Sequence, residues 1–465
     1  MIQMIDLNSE SSNEVNERMA TSSAGQKSPV SIPIIVLLVL ATGWFVWRGP
    51  LRGLSSGTLE FASLYTTTQT WLQGDNPYDS TALYETWRQS GDDSRPTWGP
   101  QSIVWSHPPS TFIMMLPMTL LPYTVAKLVW VLCNVGFLVA MFFSLLSLAE
   151  FRFRETRTIV LAIGLMLLAP IHTGFRVGQM SLFAATLFIV AISLTLKNRW
   201  VLGGLLLGAA TCLRPQLSGL FIIYLLFRRE WTTFAIACAT VVVIFSAAII
   251  QMQWQGHNWF DDYQNNIIAL YTHGGGNDPT AANHLRWQLI NLQYPLYTVI
   301  HQESVVNWIV VLLVISGVIV ILASVGLRVR GQAPYLPASV KPYPPPPTYS
   351  ELLVISAYAM LTLMAVYHRL YDAVLLVLPM AWAIRVISES RKHIAWIILA
   401  CILPFGISGP AALHSLVRKY EILAPSVAET WWWQILLLPH HAWILGLLTA
   451  AVFYALWSTC QIKDN

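Results

Sequence analysis

Residues 304–327 read SVVNWIVVLLVISGVIVILASVGL, a stretch with no Asp, Glu, Lys or Arg. A helix needs about 20 apolar residues to cross the hydrocarbon layer, and this run supplies them without interruption. The reading extends outward. Comparable runs lie at 31–47, 124–148, 158–172, 181–196, 201–213, 216–227, 231–250, 351–367, 372–388, 394–409 and 441–459. Together they predict an all-α polytopic membrane protein of about 12 transmembrane helices. The pair 201–213 and 216–227 is too short for two ordinary crossings, so short tilted helices and a re-entrant pair both remain open.

The composition agrees. Of 465 residues, 11% are charged, against about 25% in an ordinary soluble domain. Hydrophobic residues make up 55% and the mean hydropathy is +0.55. So few charges exclude a soluble globular enzyme and a disordered chain. The net charge of +4, with no dense Lys/Arg run, excludes a nucleic-acid partner. The five cysteines are scattered among apolar runs with no metal-ligand spacing, and they read as small hydrophobes.

Charge also predicts orientation. Residues 1–30 are polar and Ser-rich, as expected of a disordered cytoplasmic tail. The run 31–47 has no basic start and no cleavage site, so it reads as a retained anchor at the head of a membrane domain spanning 31–460. With the amino terminus inside, Arg152, Arg154, Arg157, Lys197, Arg199, Arg228, Arg229, Arg328, Arg330, Lys341, Arg385, Arg391 and Lys392 all fall on cytoplasmic turns. Both termini are then cytoplasmic. The outer side carries three long, Trp-rich loops at about 48–123, 251–303 and 410–440. The segment 328–350 contains KPYPPPPTY and reads as a stiff proline-rich cytoplasmic linker, with docking to an aromatic groove as the alternative.

Ionisable residues near a membrane are costly, so those at the outer ends of spans are candidates for function. From Thr58 to Gln73 the apolar positions Leu59, Phe61, Leu64, Tyr65, Thr68 (by its methyl), Trp71 and Leu72 follow helical spacing. This predicts an interfacial helix whose stripe rests on lipid or on neighbouring spans. Glu60 stands at its start, and Gly74-Asp75-Asn76-Pro77-Tyr78-Asp79 makes a turn at its end.

The stretch Glu60-Phe61…Tyr65…Leu72…Gly74-Asp75-Asn76-Pro77-Tyr78-Asp79 resembles the opening motif of the bacterial polyprenyl-phosphate-mannose-dependent α-mannosyltransferases, multi-spanning C-type glycosyltransferases. Four further blocks are similar to that family in the same order: His107-Pro108-Pro109 with Leu116-Pro117 and Leu121-Pro122; Gly178-Gln179-Met180-Ser181-Leu182; Gly203 to Pro215; and His368 with Tyr371 before Pro379. The chain departs from the family in carrying Glu60 for Asp, Arg214 for Lys and His107 for Tyr. The resemblance implies a C-type glycosyltransferase fold, a polyprenyl-phosphate sugar donor, and a lipid-linked or envelope glycan as acceptor. Mannose is the first expectation, and arabinofuranose or another pentose the alternative within the fold.

Transfer of a sugar from a lipid phosphate requires one carboxylate to take the acceptor's proton, and donor groups to hold the departing phosphate. Glu60 is the expected catalytic base, with Asp75 and Asp79 behind it. Asp75, Asn76, Tyr78, His107, Gln179, Arg214, His368 and Arg369 are the expected substrate-binding residues. Arg176 and Arg286 complete the outer-side cations. The structural readings of these residues are turn chemistry for Asp75, helix capping for Gln179 and snorkelling for Arg214. Trp71, Trp87, Trp98, Trp105, Trp254, Trp259, Trp287 and Trp431 to Trp433 suit sugar stacking or an interfacial belt. His257, Asp261, Asp262, His273, Asp278 and His284 share one loop, but their spacing fits no metal site. No metal and no cofactor is expected. The rival from another class is a transporter of lipid-linked saccharides, which should place broken or ionisable positions at mid-membrane in matched halves.

Overall fold

Each apolar run in the sequence forms helix in the computed structural model, which describes residues 31–55, 59–89, 105–330, 348–388 and 392–461. The tail 1–30, residues 331–347 of the proline-rich linker, Arg391 and Trp98 lie outside the described residues. Among the described residues the only extended pairing is an isolated antiparallel bridge between Leu289 and Arg369. The chain is a polytopic all-α membrane protein.

Among the described residues, five helices are individually long and apolar enough to cross a membrane: Ile32–Ser55, Tyr123–Leu148, Trp231–Trp254, Glu303–Ser324 and His440–Thr459. Their exteriors are apolar where they face outward. In the helix Glu303–Arg330, Trp308, Leu312, Ile315 and Ile319 are exposed on one face, while Val306, Val310 and Ile321 are buried on another. That is the pattern lipid demands, since it offers no partner to a polar group.

Two further runs are bent pairs. Thr156–Leu167 and Ala169–Val177 meet at 46°, and Lys392–Gly406 and Gly409–Arg418 meet at 40°. The first break falls at Leu168, extended at ψ 118°, two residues before Pro170, which lacks the N–H that a continuous helix would donate to the Met166 carbonyl. The remaining runs are shorter helices. Trp200–Leu213 and Pro215–Phe227 are separated by Arg214, held at φ −145° and ψ 78° because proline bars the helical region to the residue before it. The break therefore places an arginine at the joint.

Close packing holds this arrangement. A Cβ on Gly204 would stand 2.7 Å from Ile236 Cβ and 2.8 Å from the Thr233 carbonyl oxygen, and one on Gly208 would stand 2.5 Å from Thr240 Cβ. The four-residue spacing puts both glycines on one face, so Trp200–Leu213 lies flush against Trp231–Trp254.

The helix Leu59–Gln73 differs from the interfacial expectation. Nine of its 15 residues are buried, including Thr66, Thr67 and Thr70 between the apolar positions, so protein surrounds it on most sides. Three of its threonines satisfy their hydroxyls on carbonyls one turn back, Thr67 to Ser63, Thr68 to Leu64 and Thr70 to Thr66, while the buried Thr66 hydroxyl has no partner among the described residues. These bonds offset most of the polar penalty of burying that face.

Candidate active site

Asp372 is the centre of the polar cluster, and it lies in the first turn of the short 3₁₀ segment Leu370–Leu376, fully buried. Four groups converge on its carboxylate. Ser181 Oγ donates to Oδ1 at 2.5 Å, and the Arg369 backbone N–H donates to Oδ2 at 3.1 Å. His368 Nδ1 stands 3.3 Å from Oδ2, and Arg214 Nη2 stands 3.9 Å from Oδ1. The other face of the His368 ring meets the Thr362 carbonyl at 3.0 Å. The His368 carbonyl in turn accepts the Ile290 N–H at 3.0 Å, which ties this turn to the second outer loop.

Each contributor is delivered by a helix end. Ser181 begins the helix Ser181–Leu196 after the left-handed Gly178, where the chain turns out of Ala169–Val177. Arg214 comes from the proline break, and His368 and Arg369 precede the 3₁₀ turn. The guanidinium of Arg214 is 4% exposed and lies over the Tyr371 ring at 5.7 Å. That of Arg369 lies over Tyr367 at 5.5 Å and reaches the Gly276 carbonyl at 3.5 Å. Arg214 Nε and Nη2 and Arg369 Nε have no hydrogen-bond partner among the described residues. Buried N–H donors are seldom left unpaired, and here they border a carboxylate-rich cluster.

Glu60 stands within electrostatic reach of Arg214, Arg369, Tyr367 and Tyr371. It is partly exposed, unlike Asp372, whose oxygens are taken up by protein donors. His107 joins from the first outer loop, its ring stacked on Trp105 at 4.3 Å and its Nε2 without a partner among the described residues. Burial, with Arg214 acting in the same direction against Asp372, lowers its pKa to about 3, so the ring is neutral at physiological pH. Ser110 Oγ donates to the Cys212 carbonyl at 2.8 Å and fastens this loop beside the Arg214 joint.

The other sequence candidates have supporting positions. Tyr78 is 2% exposed and its hydroxyl donates to the His107 carbonyl at 2.9 Å. Asn76 donates to Asp262 at 2.6 Å and accepts the Tyr78 N–H at 3.1 Å, which clamps the first outer loop to the second. Asn266 completes the clamp through the carbonyls of Tyr78 and Trp105. Asp75 is exposed in the turn. Gln179 Oε1 accepts the Met180 N–H at 2.8 Å, a local cap. Arg286 is engaged elsewhere, donating to Gln434 at 2.6 Å. His257 meets the Gly74 carbonyl at 2.6 Å, and Asp278 accepts from Gly274 and Thr280. Trp71 is buried and donates to the Ala248 carbonyl at 3.2 Å, whereas Trp254 and Trp431 are 86% and 67% exposed.

Asp372 and Ser181 are the members that sequence reasoning missed. A signal existed: His368 and Asp372 are four residues apart, close enough to share one turn, and Asp372 interrupts an otherwise apolar run.

The arrangement can hold an anionic oxygen against two arginines while a partly exposed carboxylate accepts a proton. Comparison with known proteins bears on this chemistry. The family model described as Glycosyltransferase family 87 matches residues 105–340, half of the chain, and includes His107, Gln179, Ser181 and Arg214. No curated protein and no solved structure matches.

Proposed function

Given that this chain belongs to glycosyltransferase family 87 and is a membrane glycosyltransferase, we propose that it uses a polyprenyl-phosphate sugar, mannose first, as donor. The acceptor is a hydroxyl of a lipid-linked or envelope glycan. Both chain termini are cytoplasmic and the reaction takes place at the outer face of the cell membrane. Glu60 takes the proton of the acceptor hydroxyl as its oxygen attacks the anomeric carbon from the face opposite the phosphate. The bond from that carbon to the phosphate oxygen breaks, its electron pair leaves with the polyprenyl phosphate, and the anomeric configuration inverts. Arg214 and Arg369 receive the charge that develops on the leaving oxygen, and His368 steadies that group through Asp372. His107, neutral, offers its unpartnered ring nitrogen to a sugar hydroxyl. Tyr78 and Asn76 position that loop, and Asp75 and Gln179 complete the substrate-binding set.

The observation that carries this reading is the contrast between two carboxylates beside the same arginines. Asp372 is buried and hydrogen-bonded, so it serves as structure. Glu60 is reachable and remains to act as base. The test is transfer by purified full-length protein from radiolabelled polyprenyl-phosphate mannose into membrane lipid extract. Glu60→Gln lowers turnover by about 100-fold or more, the size of a lost general base, with an unchanged unfolding temperature. Wild-type turnover in the folded variant overturns the assignment, and product from a pentose donor alone reassigns the sugar.

A further inference from the structure

An arginine side chain is long and flexible, and it loses rotamer freedom when it must hold one pose. For Arg369 the second outer loop supplies that pose from two places. At the backbone, Leu289 pairs with Arg369 in the antiparallel bridge, and the Ile290 N–H donates to the His368 carbonyl at 3.0 Å. At the far end, Arg369 Nη2 donates to the Gly276 carbonyl at 3.5 Å while the guanidinium lies over the Tyr367 ring. Arg369 Nε has no partner among the described residues, so one part of the fork is anchored and a donor is left over.

The Gly276 carbonyl is itself fixed. Asn283, 3% exposed, donates through Nδ2 to that carbonyl at 3.1 Å and to the Asp278 carbonyl at 2.8 Å. Its Oδ1 accepts the Leu285 N–H at 2.8 Å. Asp278, 2% exposed, accepts the N–H groups of Gly274 and Thr280, each at 2.7 Å, and the Thr280 hydroxyl at 2.6 Å. The Asn277 N–H donates to the Leu270 carbonyl at 2.9 Å, which ties the loop back to the helix Trp259–Tyr271. A Cβ on Gly275 would stand 2.4 Å from the Ala269 carbonyl oxygen, so the turn closes only on glycine. None of these bonds uses Arg369. The loop therefore builds its carbonyl independently of the arginine, and Asn283 and Arg369 share the two lone pairs of that oxygen.

Gly276 is a different case from Gly275. Its backbone lies outside the left-handed region, and a Cβ there would stand 3.5 Å from Arg369 Nη2 and 3.6 Å from Leu270 Cδ2, ordinary contact distances. A methyl fits, whereas a branched side chain competes with the guanidinium for the same space.

We propose that Asn283 and Gly276 are positioning residues for the transfer: the loop 272–285 presents one carbonyl that locks the Arg369 guanidinium in the pose in which it receives the leaving group's charge. The inference rests on the reading that Arg369 meets that charge. A donor already in place needs no reorganisation as charge develops, so the lock acts on the transition state more than on binding.

The test is transfer by purified full-length protein from radiolabelled polyprenyl-phosphate mannose, with kcat, donor KM and unfolding temperature read for each variant. Arg369→Gln lowers kcat about 100-fold or more, as loss of a charge-stabilising donor does. Asn283→Ala and Gly276→Val each lower kcat about tenfold, with donor KM within about threefold of wild type and an unchanged unfolding temperature. The loss is larger for Gly276→Val than for Gly276→Ala. In the Arg369→Gln background, Asn283→Ala and Gly276→Val lower kcat no further, because the group they position is gone. A general loosening of the loop subtracts in both backgrounds, so an equal loss there overturns the proposal. Wild-type kcat in folded Asn283→Ala and Gly276→Val, with Arg369→Gln impaired, also overturns it. Gly276→Val leaves the loop's own bonds untouched, so it decides the matter where Asn283→Ala does not fold. Wild-type turnover by Arg369→Gln is a separate result: it removes the arginine from the reaction and overturns the reading on which the lock rests.

Discussion

Replacing Asp372 by Asn preserves shape and removes one negative charge from the centre of the buried cluster. The loss can be sized from the structure. Arg214 Nη2 stands 3.9 Å from the carboxylate, and at an effective dielectric near 20 that pair is worth about 4 kcal/mol. The amide keeps one oxygen for Ser181 Oγ, but its nitrogen faces the Arg369 N–H and the His368 ring, which the carboxylate had accepted. Stranding one member of a buried pair costs about 3–5 kcal/mol, a large share of a total folding free energy of about 5–15 kcal/mol. The assay is denaturant unfolding of the purified protein in detergent, on Asp372→Asn, Arg214→Met and the double variant. Asp372→Asn is expected to lose about 3–5 kcal/mol. In the double variant the uncompensated guanidinium is gone, so its loss falls short of the sum of the singles by about 2 kcal/mol. Strict additivity, or an Asp372→Asn protein within about 1 kcal/mol of wild type, refutes the pairing.

Three other perturbations follow from particular contacts. Glu351 accepts from Arg228 at 2.6 Å and from the Tyr224 hydroxyl at 2.7 Å, so Glu351→Gln lowers the unfolding temperature, at a cost of about 3 kcal/mol. Its effect on turnover is small, because the 13-residue helix Pro215–Phe227 separates Arg228 from Arg214 by about 20 Å; a large loss of turnover at full stability contradicts this. Gly208→Ala gains up to about 1 kcal/mol of helix propensity, yet loses about 1–3 kcal/mol to the 2.5 Å approach of Thr240, so the unfolding temperature falls, and a rise refutes the close packing. His107 has its pKa lowered to about 3 in the folded protein, below the unfolded value near 6.5. Between these values the unfolded chain binds more protons, so stability declines as pH drops through that window. His107→Gln flattens the decline measured by unfolding between pH 7 and 5, and an unchanged slope removes His107 as its source.

The membrane class and the helical segments were legible in the order of residues alone. Runs such as 304–327 state their own secondary structure, because in lipid a backbone without internal hydrogen bonds is too costly and a helix meets that need locally. The joint at Arg214 was legible for the same local reason, since Pro215 acts on the residue before it. Glu60, His107, Arg214, His368 and Arg369 were legible as polar residues beside apolar runs, and the structure brings them together. The same reasoning placed Leu59–Gln73 at the interface, whereas protein surrounds it on most sides, because hydroxyls that bond one turn back do not advertise themselves in a hydropathy pattern.

Tertiary structure alone decided which of the acids is enclosed and which is reachable. Asp372 and Glu60 are separated by more than half of the chain, and nothing near either one in sequence says that the first is enclosed by Ser181, His368 and Arg214 while the second remains reachable. It also decided that Arg48 and Arg52 come next to Arg176 across two glycines. Hydrophobic order is written residue by residue along the chain, whereas the environment of a charge is set by whatever distant segments pack around it.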